Sequence, residues 1–90
     1  METQQSLKSV SDQICSFITD RFLMGDAAKR VSPSDDLLTT GIIDSLGVMQ
    51  LIAFIEGSFS ISVPPGDVTI ENFISVDAMS DYIVRQAATS

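Results

Sequence analysis

Ninety residues make one small domain, and a chain of that length buries only roughly 60–65% of the surface it exposes when unfolded. An apolar share of 44% with a mean hydropathy of +0.28 suffices for a packed core and excludes wholesale disorder. Twelve acidic residues against five basic ones, a net charge of −7, argue against nucleic acid and anionic membranes and favour partners with basic patches.

The first predicted element is an amphipathic helix from about Thr3 to Met24. Leu7, Val10, Ile14, Phe17 and Ile18, continued by Arg21 and Phe22, recur at spacings of three and four and define one core face. Gly25 is the expected stop. Cys15 lies beside the apolar stripe and reads as a small core-edge residue. Residues 25–43 have no sustained period and exceed the roughly 2–8 residues of an ordinary helix connection. Val31, Leu37, Leu38, Ile42 and Ile43 are spaced through them like anchors. The segment is therefore expected to be an ordered loop laid across a bundle, with a turn at Pro33-Ser34-Asp35-Asp36 and a positive φ at Gly41.

A second helix begins at Asp44 or Ser45 and runs to about Ser58, with Asp44 as its N-cap. Leu46, Met49 and Ala53 form one stripe, and Val48, Ile52, Ile55 and Phe59 an adjoining one; so much apolar surface predicts burial on two sides. Gly57 and the alternation Phe59-Ser60-Ile61-Ser62-Val63 end it, and Val63-Pro64-Pro65-Gly66-Asp67 is a firm break. Asp67 to Phe73 reads as one or two helical turns offering Val68, Ile70 and Phe73 to the core. Ser75 caps a last helix, Val76 to about Ala87, with Val76, Met79, Tyr82 and Ile83 inward. Residues 1–4 and 87–90 are expected to fray. The expected fold is all-α: a single four-helix bundle over residues 1–90, with three longer helices, one short third helix and a long ordered first loop.

The chain has no histidine, which removes the commonest general base and metal ligand. One cysteine excludes an internal disulfide framework and any multi-cysteine zinc site, so no metal site is expected. Residues 1–13 are unlike a signal peptide, and no apolar run approaches the roughly 20 residues of a membrane span. A cytoplasmic location follows as the default. Asp35-Asp36-Leu37-Leu38 lacks the ligand alternation of a calcium-binding EF-hand loop. Asp44-Ser45-Leu46 matches the nucleophile block of GDSL esterases, but those enzymes need a histidine base and an α/β sheet.

What remains is Ser45, where a long loop meets a helix start. Its hydroxyl is expected at the bundle edge, and the positive end of the helix favours an attached phosphate. Asp44 offers an acidic handle beside it. A plain capping pair without function is the alternative on local physics alone.

The chain resembles the acyl, aminoacyl and peptidyl carrier proteins that bear 4′-phosphopantetheine. The likeness rests on Leu37-Leu38-Thr39-Thr40-Gly41-Ile42-Ile43-Asp44-Ser45-Leu46, on Leu51-Ile52-Ala53-Phe54-Ile55-Glu56 with Phe59-Ser60-Ile61-Ser62-Val63, and on Glu71-Asn72-Phe73 with Ser75-Val76. It spans about Leu7 to Tyr82. The resemblance implies a covalent 4′-phosphopantetheine arm on Ser45, taken from coenzyme A by a phosphopantetheinyl transferase, with Asp44 as a recognition contact. It implies no catalysis by the chain itself, which carries an acyl or aminoacyl group as a thioester. Partners would be that transferase and an acyl- or aminoacyl-activating ligase or ketosynthase-type enzyme with a basic docking patch.

Leu46 and Met49 are candidates for the apolar docking face, with core packing as the alternative. Glu56, Asp35 and Asp36 either pair with partner cations or stay solvated. Fatty-acid carriers place further acids along the second helix, whereas here Glu56 is the sole acid between Leu46 and Ser58. Asp44-Ser45-Leu46-Gly47-Val48-Met49-Gln50 is more similar to free-standing aminoacyl carriers, D-alanyl carriers included. The expected role is a specialised aminoacyl, polyketide or nonribosomal-type pathway. The alternatives are housekeeping fatty-acid synthesis, an unmodified carrier-fold adaptor, or an acidic helical regulator. A start at Met1 without flanking linkers suggests a free-standing chain, expected to be monomeric.

Overall fold

The computed structural model describes residues 7–23 and 31–89. Among the described residues four α-helices follow one another: α1 (Leu7–Phe22), α2 (Ser45–Phe59), α3 (Ile70–Phe73) and α4 (Val76–Thr89), with a 3-10 turn at Pro65–Asp67. No strand forms among the described residues. The all-α architecture and the short third helix agree with the sequence pattern. Residues 3–6 and 24–30, including the expected stop at Gly25, lie outside the described residues.

The three- and four-residue spacing carries through to packing. Val10, Ile14 and Ile18 of α1 meet Leu51, Ile52, Ile55 and Phe59 of α2 and Val76, Met79, Tyr82 and Ile83 of α4 in one core. Leu7 does not join them and is 51% exposed. α1 approaches α4 more closely than α2, and the wider α1–α2 gap is filled by aromatic rings. Phe17 stacks on Phe54 with centroids 4.2 Å apart, while Phe22 and Phe59 meet the pair edge-on from either side.

The described part of the first loop is ordered by burial and by backbone pairing. Val31, Leu37 and Ile43 are buried. The Leu37 amide donates to the Ile74 carbonyl at 2.8 Å, the Ile43 amide to Leu37 at 3.0 Å, and the Asp77 amide to Pro33 at 2.9 Å. A long connection that satisfies its polar backbone in this way can lie across a core instead of trailing in water. Gly41 has the expected positive φ, 79°. Cys15 is half-buried with its thiol facing the Val31 carbonyl. Burial pushes that thiol's pKa up, which keeps it in the unreactive protonated form.

Two helix ends and the orientation of one segment differ from the sequence reading. α2 passes through Gly57 and stops at Phe59, because Ser60 takes the left-handed conformation (φ 55°, ψ 44°) and caps it. The Glu56 carboxylate then accepts from the Val63 amide at 2.9 Å, folding Ile61 and Val63 inward. Val68 and Ile70 point outward, 39% and 64% exposed, leaving Phe73 to fill the core. The segment that bears them is held otherwise. Tyr82 donates to the Asp67 carboxylate at 2.7 Å, and Asn72 Nδ2 donates to the Asp67 carbonyl at 2.9 Å. Burial, with the Asp67 contact, pushes the Tyr82 phenol up to about 12. α4 starts on the Ser75 cap, whose Oγ accepts from the Ala78 amide at 3.1 Å, and runs to Thr89, two residues past the predicted end.

Candidate functional site

Ser45 is the first residue of α2. The turn before it is set by Ile43, buried in the core, and by Asp44, whose extended backbone and carboxylate make the N-cap. Asp44 Oδ1 accepts from the Gly47 amide at 2.8 Å, which leaves the amides of Ser45 and Leu46 without an intrahelical acceptor. Ser45 itself is exposed. An alcohol is thus held in solvent at the positive end of a fifteen-residue helix, where a phosphate ester is electrostatically favoured. Removing the cap should loosen this corner: Asp44→Ala is expected to cost about 1 kcal/mol, a Tm loss of about 4–8 °C for a domain of this size, in thermal unfolding followed by circular dichroism.

Beside the hydroxyl lies a cleft of about 560 Å³. Its walls are α2, through Asp44, Ser45, Val48 and Met49, and the segment Val68-Thr69-Ile70 with Phe73; Leu38 and Ile43 close its end. The predicted site residues Ser45, Asp44 and Met49 therefore come together. Leu46 stands next to them on the surface. Leu46 is 66% exposed and Met49 60%, and Ala53 is exposed on the same stripe. Core packing of that stripe is overturned, because α1 and α4 cover only the opposite side of α2. Its bare face continues across the cleft into Val68 and Ile70, which sequence reasoning assigned to the core. The signal was available in the proline break before them, since a chain leaving Pro64-Pro65 need not keep its next apolar residues inward.

The three other acids are not at the cleft. Asp35 accepts from the Ser32 amide at 2.9 Å. Asp36 accepts from the Leu38 and Thr39 amides at 3.1 and 2.9 Å and from the Thr39 hydroxyl. The Thr39 hydroxyl and amide hold the Asp36 carboxyl below its ordinary range. Glu56 lies eleven positions along α2 from Ser45, roughly 16 Å, and closes the far end of the helix. Each acid already serves its own loop, so none is a merely solvated charge. Among the described residues no group of acids, cysteine and histidine is arranged to hold a metal ion, and no helix is long and apolar enough to cross a membrane.

A corner of this kind, an exposed serine at the head of a helix that an aspartate caps, offers an accessible alcohol where an anionic ester is electrostatically favoured. Comparison with known proteins agrees. Residues 23–83 match the phosphopantetheine attachment site family, and the chain belongs to it: it is a carrier protein that bears 4′-phosphopantetheine. It is 28% identical over 78 residues to aminoacyl carrier protein 2 of Bradyrhizobium diazoefficiens, covering 87% of this chain and 86% of that one. It is 40% identical over 45 residues to the D-alanyl carrier protein of Streptococcus pyogenes, a match covering 50% of this chain and about half, 54%, of that protein. The carrier-family expectation holds.

Proposed function

We propose that the chain is an aminoacyl carrier whose arm is attached at Ser45. The observation that carries this reading is the solvent-exposed Ser45 hydroxyl at the start of α2, inside the span matched by the family and beside an apolar cleft. The Ser45 oxygen would bond to the pantetheine-side phosphorus of coenzyme A as the pyrophosphate P–O bond breaks and adenosine 3′,5′-bisphosphate leaves, giving the phosphodiester. The base that takes its proton belongs to the transferase, because this chain has no histidine and Asp44 spends its carboxylate on Gly47. Asp44 keeps α2 closed up to its first turn and presents negative charge beside the reacting oxygen. The arm, when attached, supplies a thiol that holds the cargo as a reactive thioester. Ser45, at a bundle edge, gives that tether freedom to reach successive partners, which raises the effective concentration of the cargo at each of them.

The chain is in this reading a substrate and shuttle, one cytoplasmic, monomeric carrier domain over residues 1–90, and performs no catalysis. Its partners are the transferase and an amino-acid-activating ligase. They meet the bare apolar stripe of Leu46 and Met49, with Asp35, Asp36 and Glu56, away from the cleft and bonded within their own loops, as more distant charges for basic groups. The aminoacyl assignment draws on the names of the two relatives and on the acid-poor face of α2, which distinguishes this chain from carriers of fatty-acid synthesis. The test is to incubate the full-length apo chain with a broad-specificity phosphopantetheinyl transferase, coenzyme A and magnesium. Intact mass should rise by a single arm, and peptide fragmentation should assign it to Ser45. No mass gain would overturn the reading in favour of an adaptor that acts by docking alone; an arm on another residue would overturn the site.

A further inference from the structure

Of the glycines among the described residues, Gly47 alone has close neighbours where a side chain would begin. It is buried, and a Cβ built there would stand 2.8 Å from Ile43 Cγ2 and 2.9 and 3.3 Å from Cε1 and Cζ of Phe22. Distances under 3.0 Å cannot be kept, so any side chain at 47 must displace something. Ile43 yields least, and Phe22, half-buried, is braced on one side by a neighbouring ring. Ile43 is 1% exposed, is stiff at its β-branch, and directly precedes the Asp44–Ser45 corner. The Phe22 ring meets Phe17 edge-on, and Phe17 is itself stacked on Phe54, so the end of α1 is clamped in a row of rings. The least hindered response is for the first turn of α2 to move outward, and that turn carries Ser45.

We infer that Gly47 is a positioning residue for arm attachment: its missing side chain lets the end of α1 and the end of the first loop close on the first turn of α2, which sets where the Ser45 oxygen stands. This rests on Ser45 being the attachment point. Gly47 also donates the amide that Asp44 caps, and alanine keeps that amide, so a Gly47→Ala change isolates the effect of the added methyl. Misplacing a reacting group by about 1 Å can cost on the order of 100-fold in rate. The shift demanded here is a few tenths of an ångström, so a loss of roughly tenfold is expected.

The experiment compares initial rates of transfer from coenzyme A by one transferase for four full-length proteins: the natural chain, Gly47→Ala, Phe22→Leu, and the Phe22→Leu/Gly47→Ala double variant. Leucine does not reach as far as the ring edge, so in the double variant the turn can settle toward α1 by the amount that Ile43 requires. Gly47→Ala should be modified roughly tenfold more slowly, and the double variant should recover to within about threefold of Phe22→Leu. A general loss of packing would not be rescued by a second core truncation. Gly47→Ala at the natural rate would overturn the inference while leaving the Ser45 reading intact. So would a double variant that stays roughly tenfold below Phe22→Leu, and this comparison stands even if Gly47→Ala alone does not fold. An unmodified natural chain would overturn both.

Discussion

Ser45→Ala is expected to abolish arm attachment: after exhaustive incubation with coenzyme A and transferase, the mass of the variant should be unchanged while the natural chain gains one arm. The effect is all or none because no other hydroxyl at the site is equivalent. Thr69 also borders the cleft, but its Oγ1 caps α3 by accepting from the Asn72 amide. Thr39 and Thr40 donate their hydroxyls to Asp36. The fold should be untouched, since Ser45 is exposed, alanine is the best helix former, and surface changes of this kind usually fall within about 0.5 kcal/mol. A Ser45→Ala protein that melts with the natural chain yet still gains the arm would place the tether elsewhere.

The largest stability effect is expected at Phe73→Ala. Phe73 is 1% exposed although it comes from the shortest helix, and its ring lies 6.0 Å from that of Tyr82. Truncating a buried phenylalanine costs about 3–5 kcal/mol, against a total of about 5–15 kcal/mol for a small domain. Urea unfolding should therefore move to a much lower midpoint with little change in slope. Phe73 also lines the cleft, so the core and the site share this residue. Met49→Ala provides the contrast: it borders the same cleft but is 60% exposed and should shift stability by less than about 0.5 kcal/mol. A loss under about 1 kcal/mol at Phe73 would mean that α3 is not anchored by this ring.

The contrast between Phe73 and Met49 also marks how far sequence reading reaches. α2 is apolar around most of its circumference, so its periodicity announces a helix with two apolar stripes and predicts that both are covered. Only one is. α3 and the turn before it are too short to shield Leu46 and Met49, and Val68 and Ile70 face outward across the cleft instead. The acids behave in the same way. Asp35, Asp36 and Glu56 read as solvated charges or docking contacts, and the structure adds that backbone amides three, two and seven residues away bond their carboxylates.

By itself the sequence determined the helical elements, the Asp44 cap, the left-handed turn at Gly41 and the serine at the head of α2. These depend on repeats, caps and φ preferences acting within a few residues, and such short-range forces are written into neighbouring side chains. The tertiary structure decided which stripe of α2 is left bare, which acids are engaged, and what would crowd a side chain at position 47. Those outcomes follow from how closely α1, the first loop and the 64–75 segment approach α2. Packing between residues distant in the chain sets that approach, and no local pattern encodes it.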